Sequence, residues 1–393
     1  MSLTPFRMRL ALIGGVLAGL LFFAGWLWWS QPDQASPLKQ IAAQLSLPSA
    51  VEQSWNNLND NFGEGATLPE DWNSNQTFSL DQLSIQSHPL SIPNQRQQTY
   101  QGSDLIYEQD LGVTGNYHRY VASYQSEGLK IYGLLTIPTG EQPPNGWPII
   151  IFNHGYIPPE QYRTTLRYEA YQGYFARNGY ITFKSDYRGH GDSEGDPEGG
   201  FYSPAYTADV LNAKASVQRL PEANANQVGF WGHSMGGFIT QRSMVIADDI
   251  DAGVIWGGVV GSYQDIYESR RRRRANWTPS PAESRSRRQA SSSSQLLYER
   301  YGEPNFDSDF WRLVDPVYYL ADVSGPIQLH HGQADDSVEW ELSQKFNDHL
   351  SDNNAIVELF LYPGADHNLS GNAFSPAMQR SLEFFDRHVK HAE

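Results

Sequence analysis

Gly229-Phe230-Trp231-Gly232-His233-Ser234-Met235-Gly236-Gly237 reads as the end of a strand, a Gly-x-Ser-x-Gly turn and the start of a helix. In a nucleophile elbow this sharp strand-to-helix turn lifts the serine hydroxyl above the sheet. Gly232 and Gly236 suit such a turn, because a Cβ at either place crowds its backbone. The N–H of Met235, at the helix start, would then point toward a developing oxyanion. The flanks agree with this reading. Asn226 to Trp231 supplies an entering strand, and Phe238 to Ala247 a leaving helix. The alternative is a tight glycine turn in an α/β protein with no chemistry.

Upstream of the elbow, Asp209 to Leu220 has Val210, Ala213, Val217 and Leu220 at helical spacing, and reads as an amphipathic helix. Before it come a strand over Tyr180 to Tyr187 and a helix over Glu169 to Asn178. Pro148-Ile149-Ile150-Ile151-Phe152 is a continuous apolar run, the mark of a strand buried on both faces. It ends in Asn153-His154-Gly155-Tyr156, where the Tyr156 N–H is placed to be a second oxyanion donor. Strand, helix, strand at this rhythm means βαβ units and a parallel sheet. Three strand-like runs, 104–108, 119–124 and 129–137, lead into it as antiparallel strands. His190, in the Gly-rich loop after the 180–187 strand, shapes that loop and takes no chemical role.

Downstream, 252–260 reads as another buried strand, after which the rhythm breaks. Arg270 to Arg274 form an unbroken run, followed by Arg285, Arg287, Arg288 and Ser291 to Ser294. Five adjacent like charges repel one another, so the run reads first as a solvated loop. A lid beside the site and an arm on anionic lipid are the other two readings. The rhythm resumes with a strand over 326–332, a strand over 356–362 and a closing helix, 375–391. That helix carries Met378, Leu382, Phe385 and Val389 on one face.

A serine hydroxyl needs a base to take its proton, and the base needs a carboxylate to orient it. His367 follows the last strand and Asp335 the strand before it, both at strand exits, where the loops of a parallel sheet gather. The order Ser234, Asp335, His367 is the order of the α/β-hydrolase arrangement. Asp336 competes with Asp335 as the orienting carboxylate; Asp335 is nearer the strand exit and three residues before Val338. His330 and His331 lie in or at the end of a strand and read as structural.

At the N-terminal end, Leu10 to Trp29 is a run of 20 residues without a charge, long enough to cross a bilayer as a helix. Arg7 and Arg9 precede it, and Trp26, Trp28 and Trp29 close it. These flanks predict an uncleaved single-pass anchor with the N-terminus cytoplasmic and the remainder extracytoplasmic. A cleaved signal peptide is the rival, but its apolar core is shorter and a small-x-small site follows it. Residues 31–102, rich in Gln, Ser, Asn and Pro, read as a stalk or as a segment resting on the globular domain. A net charge of −16 argues against nucleic acid as a partner, and the absence of cysteine removes disulfides and thiolate chemistry.

At Asn153-His154-Gly155, at Ser185-Asp186-Tyr187-Arg188-Gly189-His190-Gly191-Asp192-Ser193 and at Gly232 to Gly237, the chain resembles the α/β-hydrolase superfamily. The same holds for 331–338 and for Asp366-His367. The nearest likeness is to the prolyl oligopeptidase-like (S9) catalytic domain and related serine esterases, over about residues 103–391. Such peptidases usually carry a large β-propeller where this chain has about 100 residues. The resemblance implies an α/β-hydrolase fold, a mostly parallel central sheet flanked by helices; the Arg/Ser-rich insert at about 262–316, expected after strand 6, is foreign to that family's pattern. The domains expected are an anchor (1–30), a stalk (31–102) and a hydrolase domain (103–393). The resemblance implies a serine hydrolase with Ser234, His367 and Asp335 as triad and the N–H groups of Tyr156 and Met235 as oxyanion hole, and the apolar run at 10–29 makes the expected protein membrane-anchored. No cofactor or metal is called for. The expected activity is S9-like peptidase action on peptides; the alternatives are a carboxylesterase acting on small or lipid esters and an inactive binding protein.

Overall fold

The computed structural model describes residues 85–275 and 294–390, all within one unit that spans Ser79–Glu393. Nine strands form one sheet in the order β1-β2-β3-β5-β4-β6-β7-β8-β9. They are β1 (Ile106–Thr114), β2 (Tyr117–Ser126), β3 (Leu129–Pro138), β4 (Trp147–Asn153), β5 (Ile181–Ser185), β6 (Ala223–His233), β7 (Ala252–Trp256), β8 (Ile327–Gly332) and β9 (Val357–Tyr362). The pairs β1/β2, β2/β3 and β3/β5 are antiparallel, and every pairing from β5 to β9 is parallel. The helices include α1 (Ile92–Arg96), α2 (Glu169–Arg177), α3 (Ala205–Val217), α4 (Met235–Ile246), α5 (Tyr263–Ala275), α6 (Asp309–Val314), α7 (Glu341–Asp352) and α8 (Phe374–Phe385).

The continuous apolar runs have a direct cause. Successive strand residues face opposite sides of a sheet, and here both sides are covered. Ile149 and Ile151 of β4 enter a core with Val210, Ile239 and Phe346, from α3, α4 and α7. Ile150 and Phe152 enter a second core with Phe175, Met378 and Phe385, from α2 and α8. Burying one such side chain is worth about 1.5–3 kcal/mol, so the run specifies a central strand.

Four expectations are corrected. The strand expected over 252–260 ends at Trp256, because Gly257 takes φ 50° and turns the chain. Helix α3 is not amphipathic: its polar face is buried as well. The stretch at 102–103 lies on it, Gly102 N–H donating to Asn212 (2.8 Å) and Ser103 N–H to Ser216 (3.0 Å). On the same helix the carboxylate of Asp209 pairs with Arg188 (2.8 Å). The insert follows β7, the seventh strand of the chain, rather than the sixth, and its arginine run is not a free loop. It forms the last turns of α5.

Residues 85–102, at the end of the stretch read as a stalk, lie against the body. Leu90 and Ile92 are buried, Arg242 donates to the Leu90 carbonyl (3.0 Å), and Arg96 donates to that of Val245 (2.7 Å). Among the described residues no helix is long and apolar enough to cross a membrane. The span expected over residues 10–29 lies outside the described residues.

Candidate active site

The loops that leave β4, β6, β7, β8 and β9 gather at the carboxyl edge of the parallel strands, where ligands bind in open α/β sheets. Ser234 sits between β6 and α4 with φ 56° and ψ −120°. A non-glycine residue in such a conformation costs on the order of 1–3 kcal/mol and persists only when its surroundings hold it. Here its N–H donates to the Trp256 carbonyl (3.0 Å), and its own carbonyl accepts from Gly237 and Val259 (3.0 Å each). The two flanking glycines are needed for closeness. A Cβ on Gly236 would collide with the Asn153 carbonyl, and one on Gly232 with Thr240 and the Gly236 backbone. Met235 is the first helical residue, whose N–H has no acceptor within the helix.

Asp335 leaves β8 through a short turn that it caps itself. Its Oδ1 accepts from Ser337 N–H (2.7 Å) and Val338 N–H (2.9 Å). Its Oδ2 accepts from His367 Nδ1–H at 2.7 Å, and from His331 Nε2–H at 3.1 Å. The Asp335 side chain is wholly buried and that of His367 is 15% exposed. Burial opposes the carboxylate charge, but the bonds from His331 and His367 outweigh it and hold the carboxyl below its ordinary range. With Nδ1–H given to Asp335, the neutral His367 ring keeps its lone pair on Nε2.

These elements meet at one place. The turn at Gly257 follows Trp256, whose carbonyl holds Ser234 N–H; a Cβ on Gly257 would lie 2.9 Å from the His367 carbonyl and 3.4 Å from Asp335 Oδ2. The ring of His233, next to Ser234, has its centre 4.6 Å from that of His367. Among the described residues no hydrogen bond joins the Ser234 hydroxyl to the His367 ring. Such bonds are often long without substrate and tighten in the complex. Tyr156 follows Gly155 at the end of β4, with its side chain in solvent (56% exposed). A Cβ on Gly155 would lie 3.0 Å from Ser234 Cβ, so this turn touches the elbow.

The sequence reading missed two parts of the site. His331, read as structural, binds Asp335 and is itself fixed by Ser343 Oγ (2.7 Å) on α7. Its position before a strand exit carries no sign of this, because the bond depends on how the turn curls back. The His330 ring, by contrast, bonds Tyr362, Gln328 and Ser381. The arginine run is the second. Arg272 pairs with Glu339 (2.8 Å), and Arg273 donates to the carbonyls of both Asp336 and Ser337. The helix thus grips the turn that carries Asp335. The Asp336 side chain is exposed, and among the described residues its carboxylate accepts only from the neighbouring Ser337 hydroxyl (3.0 Å). His190 is buried against the Arg188 carbonyl (3.1 Å), as a loop-shaping residue would be.

A family model described as serine aminopeptidase, S33, matches residues 148–372, more than half of the chain, from β4 past His367. The chain belongs to the serine aminopeptidase S33 family. It is a serine hydrolase of the α/β-hydrolase fold, and acylaminoacyl peptidases are among its structural neighbours. An uncharacterized peptidase of Bacillus subtilis, YtmA, is 23% identical over 257 residues, 63% of this chain and 85% of that protein. The acylaminoacyl peptidase of Pyrococcus horikoshii superposes with a TM-score of 0.54 at 19% identity, over 71% of this chain and 43% of that one. This member of the S33 family therefore spans under half of that peptidase. An acetyl xylan esterase from Paenibacillus sp. R4 gives 0.53 at 17% identity, over 82% of this chain and 100% of the esterase. At these identities the structural likeness is one of fold.

Proposed function

We propose that this S33-family protein cleaves peptide bonds by acyl transfer through Ser234, His367 and Asp335. His367 Nε2 takes the Ser234 proton as the hydroxyl attacks the carbonyl carbon and returns it to the leaving amine. Asp335 holds the ring and stabilises the imidazolium. The N–H groups of Met235 and Tyr156 receive the oxyanion. The observation that carries this reading is the 2.7 Å bond between His367 Nδ1 and buried Asp335, set beside a serine in the elbow conformation. An exposed Tyr156 side chain suits a residue acting through its backbone. The anchor at residues 10–29 would tether the hydrolase domain to a membrane with that domain extracytoplasmic, a reading supported by the charge-free run and its flanks.

A carboxylesterase is the second reading. It is favoured by the likeness to the acetyl xylan esterase, which runs the full length of that enzyme, whereas the match to the peptidase covers less than half of it. A panel of p-nitrophenyl esters against aminoacyl and peptidyl amides separates the two. Turnover of the amides supports the peptidase, and turnover of esters alone replaces it with the esterase. Protease added to sealed cells tests the anchor: the hydrolase domain should be digested only after the outer barrier is opened.

A further inference from the structure

We propose that Tyr168 is a positioning residue, whose hydroxyl sets the oxyanion turn at Gly155 against the elbow at His233 and, through His233, against the loop of His367. The proposal deepens the reading of Ser234 as nucleophile and rests on it.

The direction of each bond follows from the donors available. Gly155 N–H donates to the Tyr168 hydroxyl oxygen at 3.0 Å. A phenol has one proton, and its remaining partner is His233 Nδ1 at 2.8 Å. Giving that proton to His233 makes Nδ1 an acceptor and leaves the ring proton on Nε2. At the other end Nε2 faces the His367 carbonyl at 3.1 Å, which can only accept. The carbonyl end therefore fixes the tautomer of the neutral ring, Nε2–H donating and Nδ1 accepting, and the Tyr168 hydroxyl fits it by donating to Nδ1. Burial, followed by the nearby His367, lowers the His233 pKa to about 3, so the ring stays neutral as the relay requires.

The relay crosses the reacting centre. A Cβ on Gly155 would lie 3.0 Å from Ser234 Cβ, 3.1 Å from the Tyr168 hydroxyl and 3.3 Å from His233 Nδ1. With Gly155 N–H engaged by Tyr168, the oxyanion role falls to the next amide, that of Tyr156. The protein also holds Tyr168 against conformational preference. Arg167 (φ 62°) and Tyr168 (φ 59°) are consecutive left-handed residues at the entry to α2. Such strain survives only where the surroundings over-determine it. Lys184 of β5 supplies part of that hold, its buried ammonium donating to the carbonyls of Leu166 (3.2 Å) and Arg167 (3.3 Å). Trp231 meets the Tyr168 ring edge-on, with centres 6.0 Å apart.

The test uses the full chain. Tyr168→Phe keeps the ring and removes the relay oxygen. A misplacement near 1 Å is worth about 10²-fold in rate, so kcat on a p-nitrophenyl ester should fall roughly 10–100-fold with KM little changed. The affinity of a boronic acid, which mimics the tetrahedral intermediate, should fall by the same factor as kcat/KM. His233→Asn keeps an acceptor near the Nδ1 position and should be at least about tenfold more active than His233→Ala, given the same positional sensitivity. Nitrogen-15 chemical shifts of wild-type His233 should report a neutral ring protonated at Nε2 between pH 5 and 9. This last measurement decides the matter even if Tyr168→Phe fails to fold. An Nδ1-protonated or titrating ring, or a Tyr168→Phe enzyme with unchanged kcat and boronate affinity, overturns the proposal. Fluorophosphonate labelling of Ser234 separates the layers. Labelling with an unaffected Tyr168→Phe defeats the relay alone, and absence of labelling defeats the relay and the nucleophile together.

Discussion

Replacing Asp335 by asparagine tests the orientation of the base most sharply. The carboxylate accepts four hydrogen bonds, two at Oδ1 from Ser337 and Val338 and two at Oδ2 from His367 and His331. An asparagine can keep its oxygen toward the two backbone N–H groups. Its NH2 then faces two ring N–H groups, donor against donor. His367 can restore a bond only by moving its proton to Nε2, which removes the lone pair that must accept from Ser234. Loss of the correct tautomer lowers kcat about 10⁴-fold in a serine protease. The same size of loss is expected here. His331 Nε2–H keeps a partner in the Val338 carbonyl (3.2 Å), so unfolding should be cheapened by about 1–3 kcal/mol, the cost of leaving one buried polar group unpaired. The assay is steady-state hydrolysis of a p-nitrophenyl ester, with Asp336→Asn as control. The Asp336 side chain is exposed and, among the described residues, its carboxylate bonds only the Ser337 hydroxyl; the Arg273 bond is to its backbone carbonyl, so the variant should stay within about threefold of wild type, as surface substitutions generally do. A loss below tenfold for Asp335→Asn, or a larger loss for Asp336→Asn, refutes the assignment.

Three further outcomes follow from other parts of the structure. Gly236→Ala should lower thermal stability and activity together, by about 1–3 kcal/mol in an unfolding measurement, because the new Cβ meets the Asn153 backbone and not a movable side chain. Arg273→Gln removes the grip on the Asp336 and Ser337 carbonyls; being exposed, it should reduce kcat less than tenfold and leave Tm nearly unchanged, which melting and kinetics check together. His349 on α7 bonds Asp265 on α5 at 2.9 Å, and that bond raises the His349 pKa against the lesser effect of burial. The folded pKa lies above the unfolded one, so this stabilisation is full below about pH 6.5 and is lost as pH rises through the raised value. Melting curves should show stability falling on this account from pH 6 to 9, with a shallower slope in His349→Asn. An identical slope in the variant contradicts the assignment.

What the sequence disclosed and what it hid divide along a physical line. The elbow was readable because its requirements are local: two glycines, a serine and the strand and helix on either side. The central strands were readable because burial on both faces leaves an unbroken apolar run, as in Ile149 to Phe152. Asp335 and His367 stood out by their places after strand exits, and in the structure they meet at 2.7 Å. Several of the failures involve partners remote in sequence. Helix α3 looked amphipathic because the stretch that covers its polar side, Gly102-Ser103, lies over 100 residues earlier. The arginine run read as a free loop because Glu339 and the carbonyls it grips lie more than 60 residues later. His331 looked structural because its bond to Asp335 exists only once the turn has curled back. Tyr168, 65 residues before His233, offered no local signal at all.

The most direct test of the central claim is covalent labelling of Ser234. The full-length protein, treated with a fluorophosphonate probe, should be modified once, at Ser234 by peptide mapping. Labelling should vanish in Ser234→Ala and be strongly slowed in His367→Ala. An unlabelled wild type, or equal labelling of Ser234→Ala, would contradict the account.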